Sequence, residues 1–259
     1  MPKPAHIELG DGTTIPILYE DRSVIAIDKP AGWMLVPHSW QKTKRNLQAA
    51  IVSSIGAGYY WARSRNLKFL RYVHRLDAET TGILLFARSH GALETLSDLF
   101  ESRRMAKHYL AVVQGLPEKE EWTCSLKLAP DPSEFGRMRV DNRAGKDAET
   151  HFKVLQRGTD TTLVEARPIT GRTHQIRLHL ASARHPVVGD LLYGLKVGRG
   201  GPKTESAAKR VEMGLRAVSL GYHDPFTKRR VLIEAPIEEF LREFGFSIDR
   251  KLDQPAPAP

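Results

Sequence analysis

The sequence predicts an α+β fold built on a mixed, largely antiparallel sheet. Short apolar runs bounded by turn residues, which are typical of strands, recur along the chain. Segments with apolar residues at helical spacing separate some of these runs, and no internal repeat or long linker divides them. We therefore expect one domain over residues 15–248, with a short polar arm over residues 1–14 and an extended, disordered tail over residues 249–259.

The first half of the chain predicts a hairpin, two helices and a buried strand. Residues 15–19 and 24–27 are strand-like and are joined by four polar residues, which is a hairpin signal. Asn46 and Ser89 each precede apolar residues at helical spacing, so both are candidate N-caps. Residues 83–87 form a short apolar run between a glycine and polar residues, which indicates a buried strand.

The second half of the chain continues this pattern. Gly171 opens a helix or turn that extends to residue 181, and residues 236–244 have the spacing of an amphipathic helix. Residues 195–210 are polar, basic and rich in glycine, which predicts a long loop, and long loops in compact domains are often functional. The further strands are expected at residues 109–113, 152–155, 162–164, 217–220 and 231–233.

Composition narrows the class of protein. The 259 residues are 41% hydrophobic and 27% charged, which is ordinary for a globular protein. The single cysteine, Cys124, excludes an internal disulfide framework and fits a reducing compartment. No apolar run approaches the roughly 20 residues that a membrane span needs, and the N-terminus lacks the apolar core of a signal peptide. We expect a cytoplasmic monomer with no membrane partner.

The positive charge predicts a polyanionic partner. The formal net charge is +9, and each phosphate that a basic side chain neutralises releases counterions. Residues 61–76 contain five basic side chains and no acidic one, with aromatic residues among them. Such a stretch can follow phosphates and stack on bases, although a modest basic excess is also found in proteins that bind no nucleic acid, and some of these aromatic residues belong to the core.

Residues 74–77, His-Arg-Leu-Asp, carry the main candidate for chemistry. They place the carboxylate of Asp77 two residues after the cationic Arg75, at the start of a loop that Gly82 closes. The buried strand predicted after Gly82 would hold this loop rigid, and reactive groups are often found in such loops. On spacing alone, a turn aspartate in an ion pair explains Asp77 equally well.

Other motifs predict neither a nucleotide cofactor nor a metal. Residues 56–58, Gly-Ala-Gly, begin like a dinucleotide fingerprint, but Trp61 stands where its third glycine should be. No P-loop pattern fits the glycines near residue 200. The histidines at 174, 179 and 185 have no acidic or thiolate partner at ligand spacing.

Six blocks of sequence, spanning roughly residues 15–236 in the expected order, resemble the RluA-type RNA pseudouridine synthases. The blocks are residues 25–37, 74–87, 107–115, 145–150, 170–180 and 188–194. The resemblance implies the pseudouridine synthase fold, with a cleft across its sheet. It also implies a stand-alone catalytic core, since no S4-like module precedes the first block.

The resemblance implies an isomerase that converts uridine to pseudouridine in structured rRNA or tRNA. This reaction breaks the N1–C1′ bond, rotates the base and joins C5 to C1′, so it needs no cofactor. A carboxylate can stabilise a sugar-cation-like transition state electrostatically or by covalent bonding. By resemblance, Asp77 is the catalytic aspartate, Arg177 keeps it ionised, and Tyr109 packs on the target base. A phosphate contact or structural ion pair also explains Arg177, and a core position also explains Tyr109.

A uridine in folded RNA must leave its stack to reach a buried aspartate. Arg75 resembles the family arginine that occupies the vacated stack. The other predicted RNA contacts are His74, Lys107, Arg172 and His174, of which the cationic ones are also explained as ordinary solvated charges.

Two alternatives stay open at this stage. One is an RNA-binding protein of the same fold without catalytic activity, which would have no need of the set Asp77, Tyr109 and Arg177. The other is an unrelated glycoside hydrolase, which would require a second carboxylate facing the first. Glu79 is near Asp77 in sequence, but two positions along a loop do not establish a facing pair.

Overall fold

The computed structural model describes residues 2–35, 45–194 and 212–248, and its elements confirm the α+β class. The strands are β1 (His6–Glu8), β2 (Thr14–Glu20), β3 (Val24–Lys29), β4 (Arg71–Tyr72), β5 (Thr81–Ala87), β6 (Ala106–Gln114), β7 (Glu121–Pro130), β8 (Met138–Val140), β9 (Lys146–Arg157), β10 (Thr161–Pro168), β11 (Leu215–His223) and β12 (Arg230–Glu234). The helices are α1 (Leu47–Gly56), α2 (Tyr60–Arg63), α3 (His90–Glu101), α4 (Gln175–Ser182) and α5 (Glu238–Glu243).

These elements form two compact units. The first contains the described residues up to 108 together with residues 216–237, and the second contains the described residues of 109–215 and 238–248. The chain therefore leaves the first unit after residue 108 and returns to it at residue 216. The single domain expected over residues 15–248 stays a prediction.

In the first unit, strands β1, β2, β3, β5 and β11 pair in that order, with β4 on β5 and β12 on β11. The pairing is antiparallel except between β5 and β11, so the sheet is mixed as predicted. After its first residue every position of β5 is buried, which explains why this strand has an unbroken apolar sequence rather than an alternating one.

The two helix N-caps predicted from the sequence are confirmed. The side chain of Asn46 accepts a hydrogen bond from the backbone N–H of Ala49 at 3.0 Å, at the start of α1. The hydroxyl of Ser89 accepts one from Ala92 N–H at 3.2 Å, at the start of α3. Each cap satisfies one of the backbone donors that a helix leaves without an internal partner in its first turn.

The N-terminal arm is more ordered than its polar sequence predicts. Residues 6–8 form β1, which pairs antiparallel with β2. Ile7 and Leu9 are buried, and their alternation with polar residues is the period of a strand with one buried face. The arm is thus part of the first unit.

Only some residues of the basic stretch over residues 61–76 lie on the protein surface. Trp61 is buried, and its Nε1 donates to the carbonyl of Glu8 at 2.9 Å. Arg65 is also buried, and its Nε lies 2.5 Å from a carboxylate oxygen of Glu20. Arg65 is therefore a correction to the expected phosphate-following surface, because it faces the protein interior. The burial of Trp61 agrees with the expectation that some of these aromatic residues belong to the core. The exposed basic residues of the stretch are Arg63, Lys68, Arg71 and Arg75.

In the second unit, strands β6, β10, β9, β7 and β8 pair antiparallel in that order. Helix α4 contacts β7, β8, β9 and β10. Its Ile176 and Leu180 enter a core cluster with residues of β6, β9 and β10. The predicted strands at 109–113, 152–155 and 162–164 are confirmed, whereas β7 and β8 were not predicted.

Two predicted segments, the loop over residues 195–210 and the tail over residues 249–259, lie outside the described residues. Within the described part of the chain, no helix has both the length and the apolar character needed to cross a membrane.

Candidate active site

Asp77 lies in the loop between β4 and β5 of the first unit and is half-buried. Backbone hydrogen bonds hold this loop on both sides of the carboxylate. Val73 N–H donates to Leu85 O on β5 at 2.8 Å, and Gly32 N–H donates to Ala78 O at 2.8 Å. Asp77 is therefore carried by a loop that is tied to its neighbours, as the sequence predicts.

Lys29 binds the same loop from inside the protein. The side chain is fully buried at the end of β3, and its Nζ donates to the carbonyls of Pro30 at 3.0 Å, Ala78 at 2.7 Å and Thr80 at 2.9 Å. These bonds employ all three N–H donors of a lysine ammonium. Burial lowers the pKa of Lys29 to about 8, while the nearby carboxylates of Asp77 and Glu79 act in the opposite direction.

Lys29 was not identified as a site residue from the sequence. The signal was present, because a lysine stands two positions after the apolar strand over residues 24–27 and lies in a block that resembles the family. A lysine at the end of a strand is normally read as a solvated charge. Only the contacts with Ala78 and Thr80, about 50 residues away in sequence, show that it supports the Asp77 loop.

His74 makes internal contacts at the start of the loop. Its Nε2 accepts a hydrogen bond from Leu85 N–H at 3.2 Å, and its ring stacks on Phe100 with centroids 4.6 Å apart. Burial and the positive charge of Lys107 lower the pKa of His74 to about 3, so the ring is neutral near pH 7. An RNA contact for His74 stays a prediction.

Arg75 is exposed beside the loop, and Lys107 is half-buried on β6. Burial and the charge of Arg103 lower the pKa of Lys107 to about 8, so the ammonium form predominates at pH 7. Both side chains are cationic at neutral pH, as a phosphate contact requires. Their contacts with RNA stay predictions.

Gly82 places the end of the loop against β11. Its φ of +100° lies in the region that favours glycine. A Cβ at this position would be 2.1 Å from the carbonyl oxygen of Ala217 on β11. Because β5 and β11 approach so closely here, residue 82 has to be glycine.

In the second unit, Arg177 forms a bidentate ion pair with Asp190. Nε lies 2.7 Å from Oδ2 of Asp190, and Nη2 lies 2.8 Å from Oδ1. Both side chains are buried. Burial raises the pKa of Asp190, but the hydrogen bonds and charge of Arg177, together with the backbone N–H groups of Tyr193 and Leu192, outweigh this effect and hold the pKa below its usual value.

Asp190 also organises the backbone that follows it. Its Oδ1 accepts hydrogen bonds from Leu192 N–H at 2.9 Å and from Tyr193 N–H at 3.1 Å. Sequence reasoning missed Asp190 as a partner of Arg177, although it lies in the block over residues 188–194. A separation of 13 positions and an intervening turn give no periodic signal. The role of Arg177 toward Asp77 stays a prediction.

The start of α4 is held by a buried glutamine rather than by an N-cap side chain. Gln175 accepts from Thr170 Oγ1 at 2.6 Å and from Arg172 N–H at 2.9 Å. It donates to Glu149 O and to Thr150 Oγ1, both at 2.9 Å. All four hydrogen-bonding positions of the amide are used. This network fixes the turn before α4 and therefore the direction in which Arg177 leaves the helix.

His174 and Arg172 lie in that turn. His174 has a φ of +54° and precedes the first helical residue, so it lies outside the helix that carries Arg177. Both residues nevertheless reach Tyr193, because Nδ1 of His174 lies 2.9 Å from its hydroxyl and the Arg177 guanidinium lies over its ring. Arg172 is half-buried and donates from Nε to Asp147 O at 3.0 Å. Their RNA contacts stay predictions.

Tyr109 lies on β6, opposite Ala166 of β10. Its half-buried side chain packs against the apolar cluster that contains Val164 and Ile176. This environment supports an aromatic ring that is anchored on one side, which suits both the core and the base-packing interpretations. Contact with a target base stays a prediction.

Comparison with known proteins decides the family. A family model described as RNA pseudouridylate synthase matches residues 23–182, which is more than half of the chain and includes Asp77, Tyr109 and Arg177. The chain belongs to the RNA pseudouridylate synthase family. The enzyme is thus an RNA pseudouridine synthase, an isomerase.

The similarity of the chain to individual proteins supports this assignment. Ribosomal large subunit pseudouridine synthase C of Escherichia coli (strain K12) is 34% identical over 227 residues, covering 87% of this chain and 67% of that protein. The protein of the same name from Buchnera aphidicola (subsp. Schizaphis graminum) is 32% identical over 235 residues, covering 88% and 69%. The solved structure of Human RNA Pseudouridylate Synthase Domain Containing 1 has a TM-score of 0.66 and 28% identity, covering 86% of this chain and 83% of that one.

The synthase therefore has a set of positioned side chains in each of the two units. In the first unit, a half-buried carboxylate lies on a loop whose backbone carbonyls are bound by the buried Lys29. In the second unit, an arginine is fixed by a buried carboxylate, and a tyrosine ring is anchored on one face. Glu79, the nearest candidate for a second carboxylate, is exposed. Over the described ranges, no group of three or more His, Cys, Asp or Glu residues is arranged to hold a metal ion.

Proposed function

We propose that the enzyme isomerises uridine to pseudouridine in the RNA of the large ribosomal subunit, in the cytoplasm, with Asp77 as the catalytic carboxylate. The observation that carries the substrate class is the similarity to ribosomal large subunit pseudouridine synthase C, at 32–34% identity over most of the chain. The net charge of +9 and the exposed Arg63, Lys68, Arg71 and Arg75 support a polyanionic substrate.

Asp77 is supported as the catalytic group by its position in the matched family region and by its environment. The loop carbonyls on its C-terminal side are bound by Lys29, so the carboxylate is carried by a rigid backbone. The carboxylate of Asp77 also interacts electrostatically with the ammonium of Lys29 and opposes the lowering of the lysine pKa. An ionised group is what stabilisation of a sugar cation requires.

The proposed reaction conserves the atoms of the base. The N1–C1′ bond breaks while the carboxylate of Asp77 stabilises or bonds the sugar carbon. The base then rotates, C5 joins C1′, the proton of C5 leaves and N1 gains a proton. Tyr109 would hold the ring of the base by stacking, and Arg177 would act as the cation that keeps the carboxylate ionised. Arg75 would occupy the space left by the flipped uridine.

Tritium release from RNA labelled at C5 of uridine tests this function. Unmodified transcripts of large-subunit rRNA, small-subunit rRNA and tRNA are incubated separately with the wild type, Asp77→Asn and Asp98→Asn. Asp98 is an exposed residue of α3 in the same unit, so its variant controls for the loss of one negative charge. RNA affinity is measured in parallel by filter binding.

We expect wild type and Asp98→Asn to release tritium from large-subunit rRNA. Asp77→Asn should release none while its RNA affinity stays nearly unchanged, because affinity depends mainly on phosphate contacts. Turnover by Asp77→Asn would refute the catalytic assignment. Release from tRNA alone would refute the proposed substrate class but would still support the isomerisation reaction.

A further inference from the structure

We propose that Tyr193 is a positioning residue that holds the guanidinium of Arg177 in one orientation. The proposal rests on the function proposed above, in which Arg177 is the cation of the active site. The bidentate pair with Asp190 fixes the edge of the guanidinium that carries Nε and Nη2. The same group lies over the face of the Tyr193 ring, with the Arg177 Cζ atom 5.2 Å from the ring centroid.

The contact with a carboxylate and the contact with an aromatic ring restrain different motions of the guanidinium. A bidentate carboxylate restrains sliding of the guanidinium in its own plane. It restrains tilting less, because the arginine side chain can follow by rotation about its torsions. An aromatic face at cation–π distance restrains the tilt and adds attraction that grows when the pair is desolvated. Arg177 and Tyr193 are both buried, so this condition is met.

Tyr193 can act as a restraint because it is itself held at several points. Its hydroxyl lies 2.9 Å from Nδ1 of His174, 2.8 Å from the backbone nitrogen of Met138 and 3.2 Å from the carbonyl oxygen of Met138. One hydroxyl satisfies all three if it donates to the carbonyl and accepts the other two. The backbone N–H of Tyr193 is bound by Asp190, so edge and face restraints share one turn.

The ring of Tyr193 also contacts a second cation. The Cζ atom of Arg137 lies 5.5 Å from the ring centroid, and its Nη1 is bound to Glu134 at 2.8 Å. Arg137 directly precedes β8, at the end of the turn that follows β7. Tyr193 therefore joins the β7–β8 hairpin, the turn at His174 and the helix that carries Arg177. Any displacement of this ring would be transmitted to Arg177.

The test has one readout that does not depend on activity. Solvent exchange of the Arg177 Nε–H is measured by ¹⁵N NMR in the full-length protein, with the signal assigned by its loss in Arg177→Lys. We compare the wild type, Tyr193→Leu and Tyr193→Phe. Tyr222→Phe is the matched control, because Tyr222 is another buried tyrosine and lies in the first unit.

Tyr193→Leu removes the aromatic face and the hydroxyl, so the Nε–H should exchange about tenfold faster than in the wild type. Tyr193→Phe keeps the face but frees it from His174 and Met138, and should accelerate exchange by a smaller factor. Tyr222→Phe should leave exchange unchanged. The proposal is overturned if both Tyr193 variants exchange like Tyr222→Phe. Tyr193→Phe keeps the ring and the packing, so it is expected to fold. If Tyr193→Leu does not fold, exchange in Tyr193→Phe equal to that in Tyr222→Phe overturns the proposal by itself, because the restraint requires the hydroxyl contacts.

The second readout concerns the reaction. With large-subunit rRNA as substrate, both Tyr193 variants should lower kcat for tritium release while KM changes little, since the ring orients a reacting group and is not a phosphate contact. An increase in KM at constant kcat would overturn the positioning role. If the wild type itself releases no tritium, the function proposed above fails, while the exchange experiment still reports whether Tyr193 orders Arg177.

Discussion

Replacing Lys29 by methionine should destabilise the enzyme, even though the change removes a buried charge. The methionine side chain fills a similar volume but donates no hydrogen bond. The carbonyls of Pro30, Ala78 and Thr80 would then lose the donor they share. Two of these carbonyls belong to the loop of Asp77, so the effect should be concentrated there.

The magnitude follows from two opposing contributions. Three hydrogen bonds from a charged donor contribute about 1.5–3 kcal/mol each, or about 4.5–9 kcal/mol together. The lowering of the Lys29 pKa from 10.5 to about 8 corresponds to about 3.4 kcal/mol of unfavourable burial. Methionine avoids that burial cost, so Lys29→Met should lower the free energy of unfolding by about 1–6 kcal/mol.

Urea unfolding followed by circular dichroism measures this change, and hydrogen exchange of the amides of residues 77–80 locates it. The matched control is Lys68→Met, at an exposed position of the same unit, where the expected change is within about 0.5 kcal/mol. Protection of residues 77–80 should fall in Lys29→Met by more than that of β5. Equal unfolding free energies for the two variants, with unchanged protection of the loop, would refute the reasoning.

Two further predictions concern the same loop. Gly82→Ala should destabilise strongly, because its Cβ would meet Ala217 O at 2.1 Å, whereas Gly91→Ala in the open first part of α3 should stabilise by about 0.5–1 kcal/mol. Thermal unfolding measures both, and a folded Gly82→Ala as stable as wild type would contradict the close approach. His74→Phe should make the free energy of unfolding less sensitive to acid. The pKa of His74 is about 3 in the folded protein and about 6.5 in the unfolded chain. The contribution of neutral His74 to the free energy of unfolding is therefore complete above pH 6.5. It decreases as the pH falls, by about 1.4 kcal/mol per pH unit for this one proton. His179, with a pKa of about 4, contributes alike to both proteins, so the difference in slope between pH 6 and 4.5 isolates His74. Equal slopes in urea unfolding would contradict this assignment.

Local patterns predicted much of the fold. Asn46 and Ser89 were identifiable as caps because capping depends on a residue and its next three neighbours. The strand over residues 83–87 was identifiable because burial on both faces leaves an unbroken apolar sequence. Strand β7 was missed because much of its length alternates between exposed and half-buried positions, and polar residues such as Glu121 and Lys127 weaken its period.

These local patterns could not predict contacts between residues that are distant in sequence. Arg65 was expected on an RNA-facing surface, and nothing in its neighbourhood indicates that Glu20, 45 positions earlier, neutralises it in the interior. The same limit applies to Lys29 under the Asp77 loop and to Asp190 beside Arg177. The family blocks contained these residues, but a sequence block identifies positions and does not show which side chains meet.

The return of the chain to the first unit has a consequence for synthesis on the ribosome. Strand β5 ends at Ala87, and its parallel neighbour β11 begins at Leu215, so about 130 residues are made between them. At about 5–20 residues per second, this interval lasts roughly 6–25 s. During that time Thr81 and Gly82 lack the partners that Arg216 and Ala217 provide, so the backbone groups at this end of the strand stay open to other pairing. The Asp77 loop is therefore completed late, after most of the second unit has been translated.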